Sequence, residues 1–222
     1  MATSSTATAL PACQVVFVVG APGSGKGTTC KLLTERLLDD NGRPKFAHLS
    51  ARDLLREERN NGSDSELSRV INENIRKGAP VPSDVMCRLI EQGMERVHRD
   101  NNSIVRFLID GFPRSPGNAI AWRDTISSKH LVAFALNLTC PEEILAGRLL
   151  QRGKDATDAP REDDADLTII HERFQNFQTD TAPLLEWYNS TEGKGLLKTV
   201  ASDRTDEEVY RDVARLVQNL CP

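Results

Sequence analysis

The chain has 222 residues, of which 39% are hydrophobic and 27% are charged, and its formal net charge is −4 at pH 7. These values are typical of a globular domain with a sizeable core. A general nucleic-acid binder is usually basic because it neutralises many phosphates, so the acidic balance argues against nucleic acid as a partner. No apolar run approaches the roughly 20 residues of a membrane-spanning helix, which argues against membrane insertion.

The first 13 residues contain neither Lys nor Arg, unlike secretory signals and transit peptides. We therefore expect residues 1–13 to form a flexible tail and the protein to be cytoplasmic. The cysteines are odd in number and widely spaced, without a C-x-x-C pair, which predicts reduced thiols rather than disulfides or a zinc site. They are Cys13, Cys30, Cys87, Cys140 and Cys221.

Continuous apolar runs alternate with longer helical patterns, and such runs are typical of strands buried on both faces of a sheet. The predicted strands are residues 15–19, 45–49, 107–109, 131–138 and 196–200, and the predicted helices are residues 26–39, 83–99, 141–152 and 167–188. The alternation predicts an α/β fold with a parallel sheet and helices on both faces. Ligands bind beyond the carboxyl ends of such strands. The residues that follow the first three strands are 20–28, 50–56 and 110–114.

Two stretches look like excursions from this core. Residues 50–79 are polar and have a helical pattern, whereas residues 152–163 combine Gly, Pro and many charges with almost nothing apolar. A segment of the second kind cannot bury itself, so it is predicted to be mobile.

The segment from Gly20 to Thr28 follows the first strand and fits the pattern G-x-x-x-x-G-K of a P-loop. Its glycines let successive backbone N–H groups point at a phosphate, and the helix that begins there adds the positive end of its dipole. Lys26 is expected to reach the β- and γ-phosphates. Gly27 stands where a Ser or Thr normally holds Mg²⁺, and Thr28 comes one residue later. The motif predicts nucleotide binding but does not identify the reaction.

Five segments together resemble the nucleoside monophosphate kinase family, which includes adenylate kinases and UMP-CMP kinases, and among them the short-lid UMP-CMP kinase type is the most similar. They are residues 20–28, 48–56, 78–82, 107–114, and 148–153 continued by 161–164 and Arg173. The resemblance implies a P-loop three-layer fold, a five-stranded parallel sheet flanked by helices. It further implies a kinase domain over residues 14–222, in which 14–49, 80–152 and 164–222 form the core. Residues 50–79 would be a helical insertion that binds the acceptor monophosphate, and residues 153–163 would be a short lid.

The resemblance also assigns roles to individual residues. The residues that would bind ATP are Gly23, Ser24, Gly25, Lys26, Gly27, Thr28, Arg148 and Arg152, with Arg148 against the adenine. The residues that would bind the acceptor are Ser50, Arg56, Ala79, Pro80, Val81, Gly111, Arg114, Asn118, Arg161 and Arg173. The catalytic cations would be Lys26, Arg114, Arg152, Arg161 and Arg173. Mg²⁺ would be positioned mainly through phosphates and water, with Thr28 and Asp110 nearby. Asp110, with Asp163 or Asp164, would help to place Mg²⁺ or its water shell, or would position the lid.

Elementary chemistry agrees with these roles. The transition state of phosphoryl transfer spreads charge over several oxygens, so positioning and electrostatics supply most of the catalysis. Guanidinium groups suit that task because they are planar, forked and always charged. No general base is evident in the sequence.

Three small features favour CMP or UMP as the acceptor, with dCMP as a further candidate. Asn118 stands where adenylate kinases usually have Gln, and both Trp122 and Ser50-Ala51 resemble the UMP-CMP type. Asn118 also fits a purely structural role as a helix cap or turn residue. Arg52 departs from the family, which commonly has glycine there, and residues 154–160 make the lid slightly longer than in short-lid relatives.

Other functions remain to be weighed against this one. An adenylate kinase would use AMP as the acceptor, and a non-catalytic nucleotide-binding protein would be expected to lose the phosphate-contacting arginines. A P-loop GTPase would need a Ser or Thr after Lys26 and an N-K-x-D signature, neither of which is present. A kinase for another small acceptor is disfavoured by residues 110–114 and Arg56. The expected partners are therefore ATP, CMP and UMP, and the resemblance implies a monomer.

Overall fold

One five-stranded parallel sheet organises the chain in a computed structural model, which describes residues 10–60, 65–77, 79–101, 104–154 and 166–220. The strands are β1 (Gln14–Gly20), β2 (Ala47–Ser50), β3 (Arg106–Asp110), β4 (Leu131–Thr139) and β5 (Leu197–Ala201). Their order in the sheet is β2-β3-β1-β4-β5, and each neighbouring pair is parallel. The predicted sheet is thereby confirmed. No helix among the described residues is long and apolar enough to cross a membrane.

Helices cover both faces of this sheet, as predicted. They are α1 (Lys26–Arg36), α2 (Ala51–Asn60), α3 (Glu66–Arg76), α4 (Ser83–Asp100), α5 (Pro116–Thr125), α6 (Glu142–Lys154), α7 (Leu167–Asn176), α8 (Ala182–Asn189) and α9 (Asp206–Gln218). On one face, α4, α5 and α8 enclose a core in which Phe17 contacts the rings of Phe112, Trp122 and Tyr188. The opposite face is covered by α1 and α9.

The strand order explains why a site forms at the carboxyl edge. The chain leaves β1 for the outer strand β2, returns to β3, and then crosses to β4 on the other side of β1. Ligands bind where the strand order reverses in this way. Strand register places Asp110 opposite both Val18 and Ser50, so the ends of β1, β2 and β3 lie side by side.

The helix predictions need three corrections. The first helix ends at Arg36 instead of Asp39, because Leu38 leaves the helix and pairs with Pro44. The pattern over residues 167–188 forms α7 and α8 with a π-helical turn, Phe177–Thr181, between them. Two helices, α5 and α9, have no counterpart in the predictions.

The structure describes only part of the two stretches outside the core, residues 50–79 and 152–163. Residues 50–79 contain α2 and α3, which pack against each other, while residues 61–64 and 78 lie outside the described residues. Most of the predicted lid, residues 155–163, also lies outside them, as do residues 1–9 of the predicted tail. Within the tail, Cys13 is buried and its backbone N–H donates to Nδ1 of His130 at 3.2 Å.

Candidate functional site

The P-loop curls between β1 and α1 in a conformation that requires glycine. Gly25 caps α1 in the left-handed conformation, with φ of 84°, and no side chain caps the helix. At Gly23, also with positive φ, a Cβ atom would lie 2.9 Å from the carbonyl oxygen of Leu145. The first backbone N–H groups of α1 consequently face the loop without a side-chain acceptor, which is the arrangement that binds phosphate.

Lys26 extends back over this loop. Its Nζ donates to the carbonyl oxygens of Gly20 at 2.8 Å and Ala21 at 3.0 Å, and to Oγ of Ser24 at 3.4 Å. Burial lowers the pKa of Lys26, Asp110 raises it, and Arg114 lowers it further. Because these acceptors are neutral, phosphate oxygens would be stronger partners for the ammonium group.

Arg114 is held by three hydrogen bonds that connect it to other elements. Its Nε donates to the carbonyl oxygen of Gly111 at 3.0 Å, and its backbone N–H donates to Oδ1 of Asn118 at 3.0 Å. Its carbonyl oxygen accepts a hydrogen bond from Oγ1 of Thr181 at 3.1 Å. These bonds fix the backbone of Arg114 and the root of its guanidinium group.

Positive charge is concentrated around this arginine. Burial lowers the pKa of Arg114, Asp110 raises it, and both Arg52 and Arg173 lower it. Lys26 likewise interacts with Asp110, Arg114 and Arg173. Among the described residues, Asp110 lies within electrostatic reach of Lys26 and Arg114. The cations of this cluster repel one another, and an anion bound among them would relieve that repulsion. The cluster is suited to hold phosphate groups.

Several of the predicted acceptor residues lie on the β2–β3 side of this cluster. Oγ of Ser50 accepts a hydrogen bond from the backbone N–H of Asp53 at 3.2 Å and so caps α2. Arg56 is exposed on α2 and pairs with Asp53 at 3.0 Å. Gly111 has positive φ, and a Cβ atom there would lie 3.7 Å from Nη2 of Arg114 and 4.0 Å from Cβ of Ala51. The end of β3 and the start of α2 therefore approach each other beside Arg114.

Asn118 joins two segments on the same side. Its Nδ2 donates to Oγ of Ser83 at 2.8 Å, while Oδ1 accepts from Arg114. Ser83 begins α4 directly after the segment formed by Ala79, Pro80 and Val81. Because a backbone N–H can only donate, its bond to Oδ1 fixes which way the amide points. Trp122, by contrast, is buried in the core against Phe17.

The predicted ATP residues on α6 lie on the other side of β1. Nη2 of Arg148 donates to the carbonyl oxygen of Ser202 at 2.8 Å, at the end of β5. Arg152 lies in the last turn of α6, and Arg173 lies on α7, which packs against α6. Arg161, Asp163 and Asp164 lie outside the described residues. The structure thus brings Lys26, Arg114 and Arg173 together and leaves the position of Arg161 a prediction.

The residues present fit a magnesium ion carried by a nucleotide. Mg²⁺ keeps several waters and is bound through one or two carboxylates together with substrate phosphates. Asp110 offers one carboxylate at the end of β3, and Thr28 is exposed in the first turn of α1. Among the described residues, no group of three or more His, Cys, Asp or Glu could hold a metal on its own. A magnesium ion at this site would therefore depend on phosphate oxygens.

His48 lies beside Asp110 and was not among the predicted site residues. Its Nε2 is 3.9 Å from Oδ2 of Asp110, is buried, and has no hydrogen-bond partner among the described residues. Burial lowers the pKa of His48, while Asp110 and Asp53 oppose that effect. Ser83 and Thr181 were also missed. His48 is the first residue of the segment 48–56, which resembles the kinase family. Nothing in the local sequence around Ser83 or Thr181 indicated a role in the site.

Comparison with known proteins agrees with the geometry. The family model described as adenylate kinase matches residues 18–193. A UMP-CMP kinase of Danio rerio is 36% identical over 207 residues, which are 92% of this chain and 97% of that protein. UMP-CMP kinase 2 of Caenorhabditis elegans is 37% identical over 203 residues, covering 91% and 95% of the two chains. The Homo sapiens UMP-CMP kinase is 35% identical over 202 residues, again covering 91% and 95%.

Proposed function

The chain belongs to the adenylate kinase family, and we propose that it is a nucleoside monophosphate kinase that transfers the γ-phosphoryl group of Mg-ATP to CMP or UMP. The observation that carries this proposal is the electrostatic interaction of Lys26 and Arg114 with Asp110, and of Arg173 with both of these cations, at the carboxyl edge of the sheet. Cations gathered in this way would support the transfer of a phosphoryl group between two nucleotides.

The two substrates would approach from opposite sides of β1. The P-loop and Lys26 would bind the ATP phosphates, with Arg148 near the base. Arg56 and Arg114 would bind the acceptor phosphate, and Arg173 would neutralise charge on the transferring group, assisted by Arg152 and Arg161. Because phosphoryl transfer requires little covalent chemistry from the protein, these residues contribute mainly by aligning the substrates and by stabilising charge in the transition state. Magnesium bound with ATP would neutralise part of the phosphate charge, and Asp110 and Thr28 are the residues that would help to hold it or its water shell.

The choice of acceptor rests on the relatives and on Asn118. The similar proteins are named UMP-CMP kinases. The amide of Asn118 is oriented by Arg114 and Ser83, yet it retains one N–H and one lone pair for a base. A donor and an acceptor at one position can pair with cytosine or with uracil.

AMP is the second candidate acceptor, because the family model that matches is that of adenylate kinase. The bonds of Asn118 to Arg114 and Ser83 also fit a structural role, in which the base would be recognised by other residues. The two candidates share the same mechanism and differ only in the base.

The test is to measure nucleoside diphosphate formation from Mg-ATP by anion-exchange chromatography. CMP, UMP, dCMP, AMP and GMP are offered separately, with a blank that lacks acceptor and a Lys26→Ala variant as the control for contaminating kinases. Turnover that is fastest on CMP and UMP is the expected result. Faster turnover on AMP would overturn the acceptor, and no turnover above the blank on any acceptor would overturn the kinase proposal.

A further inference from the structure

Thr181 connects the helix that carries Arg173 to the backbone of Arg114. Its side chain is buried, and its Oγ1 donates to the carbonyl oxygen of Arg114 at 3.1 Å across 67 residues of sequence. A buried hydroxyl of this kind holds its acceptor in place because the alternative is an unsatisfied carbonyl. The bond is not part of the regular hydrogen bonding of any helix or strand.

The π-helical turn determines which way Thr181 faces. Residues eight apart on an uninterrupted α-helix, as Arg173 and Thr181 would be, point about 80° apart around the axis. A π turn takes up one additional residue, which reduces that angle by about 100°. Arg173 and Thr181 are therefore brought to nearly the same side. Both act on Arg114, Arg173 through its charge and Thr181 through its hydroxyl.

Pro183 supplies a physical cause for this turn. It lies in the first turn of α8, immediately after the π segment. Proline has no N–H to donate and its ring clashes with the carbonyl four residues earlier, so regular α-helical hydrogen bonding cannot continue through it. The wider turn removes the conflict without ending the helix, since both flanking residues, Asn176 and Ala182, keep right-handed helical angles.

We propose that Thr181 is a positioning residue for Arg114, and that the π turn aligns it with Arg173 so that one helix sets both arginines of the phosphate site. The proposal rests on the function proposed above, in which Arg114 binds the acceptor phosphate. Asn118 fixes the N–H of Arg114 and Thr181 fixes its carbonyl, so the peptide groups on both sides of this residue are held by side chains. Without the hydroxyl, the carbonyl group and the side chain of Arg114 become more mobile. Binding of the acceptor then carries the entropic cost of ordering them.

The experiment compares Thr181→Val, which keeps the volume and removes the hydroxyl, with Thr181→Ser, which keeps the hydroxyl. Thr125→Val is the matched control, because Oγ1 of Thr125 donates to the carbonyl oxygen of Ala121 at 2.6 Å on the exposed side of α5. Equilibrium binding of CMP, UMP and AMP is measured by calorimetry without ATP, and ATP binding is measured separately. Each variant is also made in an Arg114→Ala background. Thr181→Ala replaces the valine variant if that variant does not fold.

The expected result is a five- to tenfold weaker binding of the monophosphate in Thr181→Val, and a change of less than twofold in Thr181→Ser and Thr125→Val. ATP affinity should stay within twofold. In the Arg114→Ala background, Thr181→Val should add less than twofold, because its effect passes through Arg114. An equal loss in both backgrounds, or a parallel loss of ATP affinity and thermal stability, would overturn the proposal. So would a wild-type protein that binds none of the three monophosphates.

These readouts separate the two proposals. A wild-type protein that binds a monophosphate but does not phosphorylate it fails the kinase proposal, while the binding comparison still decides the role of Thr181.

Discussion

Nδ2 of Asn118 donates to Oγ of Ser83 at 2.8 Å, and this bond joins the start of α4 to the first turn of α5. The same amide accepts from the backbone of Arg114. The residue expected to recognise the base is therefore also a structural link between α4 and α5.

Asn118→Gln is expected to lower kcat/KM for CMP and UMP and to shift preference toward AMP. The added methylene group prevents the amide from keeping both of its present bonds, and adenylate kinases usually have Gln at this place. The ratio of kcat/KM for AMP over CMP measures the effect. Ser83→Ala serves as the control, because it breaks one of the two bonds without lengthening the side chain and should give no gain on AMP. Unchanged selectivity in Asn118→Gln would mean that the base is recognised elsewhere.

Arg114→Ala is expected to reduce kcat/KM for the acceptor by at least about 100-fold, because it removes a charge-assisted phosphate contact. Steady-state kinetics with varied acceptor and saturating Mg-ATP measures the loss. Arg88→Ala is the matched control, since Arg88 is exposed on α4 and pairs only loosely with Asp84, at 3.7 Å. Near-normal turnover in Arg114→Ala would reject its assignment.

Arg52→Ala is expected to raise the KM for the acceptor by about three- to tenfold and to leave the KM for ATP unchanged. Arg52 lowers the pKa of Arg114, which places its charge within electrostatic reach of the same phosphate. Because Arg52 is exposed, the difference from wild type should shrink as salt is added. Arg59→Ala, at the far end of α2, controls for the loss of one positive charge. An effect of equal size in both variants would contradict a specific role for Arg52.

His130→Asn is expected to make thermal stability less dependent on pH below about 6.5. Burial lowers the pKa of His130 from its ordinary value of 6.5, Glu91 opposes that effect, and Lys129 adds to it. Below pH 6.5 the unfolded chain binds a proton that the folded chain excludes, so the free energy of unfolding of the wild type falls as the pH falls. Asparagine keeps an acceptor for the N–H of Cys13 but does not titrate.

Melting temperatures of the wild type and the His130→Asn variant between pH 8 and pH 5 test this. The wild-type value should drop by a few degrees more than that of the variant, since 1 kcal/mol corresponds to about 2–4 °C in a domain of this size. His171→Asn, at a side chain that is 63% exposed, is the control. Parallel curves for the wild type and His130→Asn would show that His130 does not contribute.

Local sequence patterns were sufficient to predict the strands of the sheet and the P-loop. Continuous apolar runs predicted β1 to β5, and the glycines before Lys26 predicted the loop, because each depends on neighbours in sequence. The missed helices also carried local signals. Ser115-Pro116 is a typical start for α5, and Thr205 with Glu208 forms a capping box at α9. Pro183 likewise signalled an interruption within the pattern over residues 167–188.

The remaining parts of the site depend on contacts between distant segments. The bond from Thr181 to Arg114 spans 67 residues and that from Asn118 to Ser83 spans 35. No periodicity or spacing encodes which loops a sheet brings together. The strand order, and with it the position of Asp110 beside Val18 and Ser50, likewise follows from tertiary packing.

The crossover from β3 to β4 separates two blocks of sequence that hold most of the predicted acceptor and donor residues. Residues on the β2–β3 side of the cleft fall between 50 and 118, and those on the β4–β5 side fall mainly between 140 and 202. Under the proposed assignments, substitutions within the first block would change recognition of the acceptor and leave the donor residues of the second block untouched.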